Sequence, residues 1–389
     1  MVANGIAAAQ PTGDGIDPGR PSSWLSRNER ERFLHRSTIL AMAIFFSDVL
    51  LYSLATALAM APLHPLANVF FSIWSGLFIG KLFTIGHDGC HQSYTPYRNL
   101  NTWLARIAFL PSAHSASLWT LSHNQIHHRY TNLKGGEYVW EPWSPEEYAS
   151  ATAFRRGVYR LYRSRVGPLP YYLVEMWWKK LFLTLPPEAR REWRKHVFDA
   201  LFLIALYPAF VAGLLWLGTS LAPERPLWQT AILGWALPFL IWNWLMGFVI
   251  YAHHTHPEVA WFDNRDEWTF HRAQVLSTIH ARLPQPLHFL SNNIMEHTAH
   301  HVMPAIPLYR LEDAQAILRR LFPAVRYVRL SRDYGAIVRA CKLFDFKKRR
   351  WVGFDGNPTG PAIPLDGFHS KPAPATNSPR LLPLEENFQ

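Results

Sequence analysis

The stretch NIMEHTAHHVMPAIPL, residues 293–308, decides how this 389-residue chain reads. It sets His297, His300 and His301 in an HxxHH cluster beside a segment with almost no charge. On a helix, positions i, i+3 and i+4 share a face, so the three rings are expected to aim at a common point. Three imidazoles within five residues form a donor set for a metal ion; a His-rich polar helix face is the plain alternative.

Working outward, the pattern recurs. GHDGCHQSY, from Gly86, places His87 and His91 one helical turn apart with Asp88 beside the first. SHNQIHHRYTN, from Ser122, gives His123, His127 and His128, and YAHHTHPE, from Tyr251, adds His253, His254 and His256. Most of the 19 histidines fall in these four groups; isolated ones such as His114, His280 and His369 read as ordinary surface or core residues. A zinc site takes four ligands, so the inventory exceeds one zinc. Two six-coordinate ions need about this many donors while leaving positions open, and imidazole suits iron. No histidine follows a Glu by three residues, which separates the chain from soluble di-iron bundles built on Glu-x-x-His pairs.

The chain between the groups is that of a membrane protein. Its 17 Trp, 24 Phe and 15 Tyr accompany four apolar runs at about 37–61, 66–85, 197–217 and 227–251. Each is long enough to cross a hydrocarbon core of about 30 Å at roughly 1.5 Å per residue. Short connections pair the runs into two hairpins, so every His group and both termini fall on one side. The Lys and Arg excess lies on that side too, which marks it as cytoplasmic. The expected fold is an all-α integral membrane protein: four transmembrane helices as two hairpins, with a cytoplasmic helical cap carrying a histidine-rich di-metal site.

Residues 1–36 are expected to be a disordered tail and a basic interfacial segment, 37–330 the membrane domain, 331–352 a basic aromatic segment and 353–389 a disordered tail. Lys347 to Arg350 beside Trp351 suit a lipid surface better than nucleic acid in such a chain. Tyr171, Tyr172, Trp177 and Trp178 beside two lysines read as an interface belt. Lys81, late in the second run, is expected to snorkel, and Asp48 reads as a functional acid or a buried hydrogen-bonded group. Two cysteines make no disulfide frame. The span cores hold no histidine, which counts against a membrane metal transporter, the remote alternative.

HDGCH at 87–91, HNQIHH at 123–128 and HTAHH at 297–301 resemble, in order and in the wide final gap, the histidine boxes of the membrane-bound fatty acid desaturase and hydroxylase superfamily, although the second box has three residues between its first two histidines where desaturases of the acyl-lipid branch more often have two. Thr131 and Asn132 after the second box, His254 at the end of a span, and PAIPLYRL from Pro304 look most like its acyl-lipid desaturase branch. The resemblance implies two iron ions held by His87, His91, His123, His127, His128, His254, His297, His300 and His301, with His253 and His256 in reserve. It implies O2 as co-substrate, a membrane lipid acyl chain as substrate, and a ferredoxin or b-type cytochrome as electron donor. The ligands' far nitrogens need partners of their own; Asp88 is the first candidate, with Asn124, Asn293 and Glu296 adjacent to other boxes. A hydroxylase, ketolase or alkane monooxygenase of the same superfamily begins with the same hydrogen abstraction and stays open as an alternative.

Overall fold

The computed structural model describes residue 20 and residues 23–184 and 187–364. Most of the expected N-terminal tail, and the chain beyond 364 with His369, lie outside the described residues. Among the described residues, four helices are long and apolar enough to cross a membrane: Thr38–Met60, Pro65–Cys90, Ala189–Leu221 and Leu227–His254, here the first to fourth spans. Ser37 caps the first by accepting the Leu40 N–H. The second starts on Pro65, whose missing N–H falls where no intrahelical partner exists. The second and fourth spans run past the expected ends at 85 and 251, so each carries histidines on its last turn.

At the end of the second span opposite His87, the two short connections meet. Arg225 donates to the carbonyls of Met60 (2.7 Å) and Ala61 (2.9 Å) and to Asn68 Oδ1 (3.0 Å). The final carbonyls of a helix have no partner within it, and this guanidinium supplies one.

Lys81 does not snorkel. Its Nζ lies 3.3 Å from Asp48 Oδ1, both side chains buried, and donates to Phe289 O (2.6 Å) and Asn292 Oδ1 (2.5 Å). Asn292 in turn donates to Asp48 Oδ2 at 2.7 Å. A buried ammonium needs both a counter-charge and lone pairs around it. Together they fasten the chain just before the third box to the first two spans.

The fold is mostly helical but not all-α. Strand β1 (Ile279–Arg282) pairs in parallel with β2 (Arg326–Arg329), and β3 (Leu343–Asp345) pairs antiparallel with β4 (Arg350–Val352). The β3–β4 hairpin buries Trp351, whose indole N–H donates to Val259 O at 3.1 Å. Residues 353–364 then fold back on it: Thr359 N–H reaches Trp351 O and Ile363 N–H reaches Arg349 O. Of the expected aromatic belt, Trp178 is exposed, whereas Tyr172 is fully buried and Tyr171 stacks on Trp140 with centroids 3.7 Å apart.

Candidate metal centre

The elements that carry the boxes converge. Gly86 and Gly89 flank His87 and Asp88 and let neighbouring chain press against the second span: a Cβ at Gly86 would meet the Phe109 ring at 2.4 Å, and one at Gly89 the Asn101 carbonyl at 2.6 Å. The second box lies on a π-helical turn, Thr120–His127. There His128 N–H bonds to His123 O, an i→i+5 link that brings His128 back over His123. The third residue between His123 and His127 is what fills this wider turn.

Two groups of imidazoles result. His87, His91, His123 and His300 form one and His127, His254, His297 and His301 the other, the potential ligand atoms of each lying within 4.8 Å of one another. His128 joins the first: its Nε2 is 3.2 Å from that of His123 and 3.0 Å from that of His300. All nine expected ligands are therefore gathered, but the third-box histidines do not aim at one point. On the helix His297–Val302, positions i and i+4 serve one group and His300 the other. His253 stacks on His297 (3.8 Å between centroids), and His256 accepts the Glu258 N–H; both stay outside the two groups.

Among the nine expected ligands, three rings have their orientation set by a partner on Nδ1. Asp88 Oδ1 stands 3.1 Å from His87 Nδ1, Glu137 Oε2 2.8 Å from His127 Nδ1, and Gln274 Oε1 2.7 Å from His301 Nδ1. Each acceptor is itself fixed. Asp88 Oδ2 takes the Leu308 N–H (2.6 Å), Glu137 takes the N–H groups of Asn132, Tyr138 and Val139, and the Gln274 amide donates to His128 O. Sequence reasoning found Asp88 and missed Glu137 and Gln274. Of the other candidates, Asn124 bonds Cys90 O, Asn293 bonds Leu308 O, and Glu296 pairs with His280 at 2.6 Å.

The donor set fits metal. Burial, reinforced by neighbouring imidazoles, holds His91, His123, His128, His297, His300 and His301 well below the ordinary histidine range, so these rings are neutral and offer lone pairs. Nε2 atoms face each other at 2.9 Å (His87, His123) and 2.8 Å (His254, His297). Two nitrogens about 2.1 Å from one ion and at right angles are about 3 Å apart. A ring nitrogen bearing hydrogen has no lone pair to accept with, so hydrogen bonds cannot run in series through His87, His123, His128 and His300. A cation satisfies all of these lone pairs together. The buried Nε2 atoms of His91 and His301 have no protein partner among the described residues.

A cavity of about 710 Å3 opens onto this centre. His87, His123, His127, His254 and His297 line it together with Phe83, Trp119, Trp242, Leu245 and other apolar groups. Such a mostly apolar cleft meeting a few convergent polar groups suits a small-molecule chain.

Residues 63–332 match the sequence profile of the fatty acid desaturase family. The chain belongs to that family. An sn-1 oleoyl-lipid 12-desaturase of Picosynechococcus sp. is 31% identical over 294 residues, covering 74% of this chain and 79% of its own. One of the same name from Arthrospira platensis is 28% identical over 282 residues, 72% of this chain and 75% of its own. A chloroplastic omega-6 fatty acid desaturase of Arabidopsis thaliana is 28% identical over 290 residues, 72% of this chain and 60% of its own. This desaturase is therefore a membrane oxidoreductase, and its histidine clusters fit the family's histidine boxes.

Proposed function

We propose that this desaturase places a double bond in the acyl chain of a membrane lipid, with two irons held by the nine clustered histidines. The observation that carries the reading is two converging imidazole groups with members lining a mostly apolar cavity. The names of the relatives point to an oleoyl-lipid substrate and to carbon 12. When bound, the irons supply the oxidant: O2, two external electrons and two protons become two waters as two adjacent methylenes each lose one hydrogen.

The protein's own residues do the rest. Asp88, Glu137 and Gln274 hold hydrogen on the far nitrogens of His87, His127 and His301, so each Nε2 keeps its lone pair toward the centre. The apolar lining strips water from the chain and holds one segment of it beside the imidazoles. The spans form two hairpins, with box-bearing cap and termini in the cytoplasm, a topology favoured by the basic groups around the boxes. Electrons come from a ferredoxin or b-type cytochrome, and the basic face suits an acidic carrier.

Expression in a host rich in oleoyl lipids, with products read by mass, tests this. Loss of two hydrogens from the chain is expected; gain of one oxygen assigns a hydroxylase instead.

A further inference from the structure

We infer that the substrate of this desaturase is a lipid with a phosphate-bearing head group, held by Arg165 and Arg339 at the cavity mouth. The inference rests on the acyl-lipid reading above and names the head group that it leaves open. The cavity lined by the box histidines is also lined by Arg165, Arg332 and Arg339. Arg339 lies one turn beyond Gly335 on the helix Leu330–Ala340, and Arg165 follows the helix Ala153–Tyr162 in a different part of the sequence. A Cβ at Gly335 would stand 2.9 Å from Arg165 Nη2 and 3.5 Å from Arg339 Nη1. Two guanidinium groups thus converge over one glycine, where any side chain would crowd them.

Among the described residues, neither has a carboxylate partner, whereas Arg332 keeps its neighbour Asp333 at 3.4 Å. Like charges so placed repel, and an anion between them reverses the sign of the interaction. The guanidinium fork matches phosphate oxygens two at a time, which a sugar hydroxyl cannot imitate. The backbone carbonyl of Arg165 accepts from Tyr334 Oη at 3.3 Å, which steadies that arginine beside the helix. The rest of the lining is mostly apolar, with Leu283, Leu287 and Leu330 among it. An acyl chain laid along this wall reaches the histidines while its phosphate stays at the water-exposed arginines.

The test is binding, so it stands apart from the product analysis that judges the desaturase reading. Purified holoenzyme in detergent is mixed with equimolar dioleoyl phosphatidylglycerol and dioleoyl monogalactosyldiacylglycerol, and retained lipid is counted by native mass spectrometry. Phosphatidylglycerol should be retained about tenfold or more over the neutral lipid, the worth of one or two charge-assisted hydrogen bonds. The double variant Arg165→Gln/Arg339→Gln should bring the ratio near one, and Arg165→Lys/Arg339→Lys, which keeps the charges but loses the fork, should keep only part of it. Unchanged iron content shows that each variant is folded. A ratio near one in the unaltered protein, a ratio that the glutamine variant leaves intact, or displacement of the phospholipid by equimolar oleoyl-CoA overturns the assignment.

Discussion

The second and third spans differ in what surrounds them: 67% of the second's apolar window is buried within the protein, against 11% of the third's. The second packs its glycines against neighbours, with a Cβ at Gly76 falling 2.6 Å from Ile241 Cβ and one at Gly80 falling 2.7 Å from Leu245. The third shows Phe198, Leu201, Ile204 and Trp216 outward, and a Cβ at its Gly213 would meet nothing within 4 Å. In lipid, apolar surface gains little by burial, so spans associate through small residues and polar contacts. The second span is thus a structural axis that carries Lys81, His87 and Asp88 inside the protein, while the third leaves most of its apolar surface exposed.

That contrast can be broken in graded ways. Lys81→Met leaves Asp48 buried without its cation and should cost about 3–5 kcal/mol, seen in denaturant unfolding of the detergent-solubilised protein; adding Asp48→Asn should recover much of it. An unchanged unfolding curve would mean the pair is solvated. Asp88→Asn frees the His87 ring and should weaken iron retention about 10–100-fold in a chelator competition, leaving the fold intact. Gly76→Ala should cost about 1–3 kcal/mol because Ile241 and the Pro238 carbonyl must shift. Gly213→Ala is the smallest effect, neutral or stabilising by up to about 1 kcal/mol, since alanine is the better helix former. Equal sensitivity at the two glycines would erase the distinction between the spans.

The apolar runs and the histidine words were legible in the sequence because both are local patterns. Hydropathy found all four spans, yet it could not see that the second and fourth helices run on into histidine clusters, where polar residues continue the helix. Glu137 and Gln274 were invisible for the opposite reason. They sit 10 and 27 residues from the rings they hold, and Glu137 meets His127 only after a loop that turns through Asn132 (φ 56°) and Gly135 (φ 75°). The division of His297, His300 and His301 between two groups also needs a partner surface on each side of the helix. Lys81 reads as a span charge, but its acceptor Asn292 is 211 residues away. The π-turn left a trace, the extra residue of HNQIHH, whose meaning appears only once His128 is seen over His123.

The proposed function requires that imidazoles from four distant segments hold two irons. Metal analysis of the purified, active protein beside its His300→Ala variant tests it most directly. About two irons per chain are expected in the first, and in the second a loss of iron together with a fall in turnover of more than about 100-fold. Full turnover by protein free of iron, or a His300→Ala variant that keeps both iron and activity, would contradict the account.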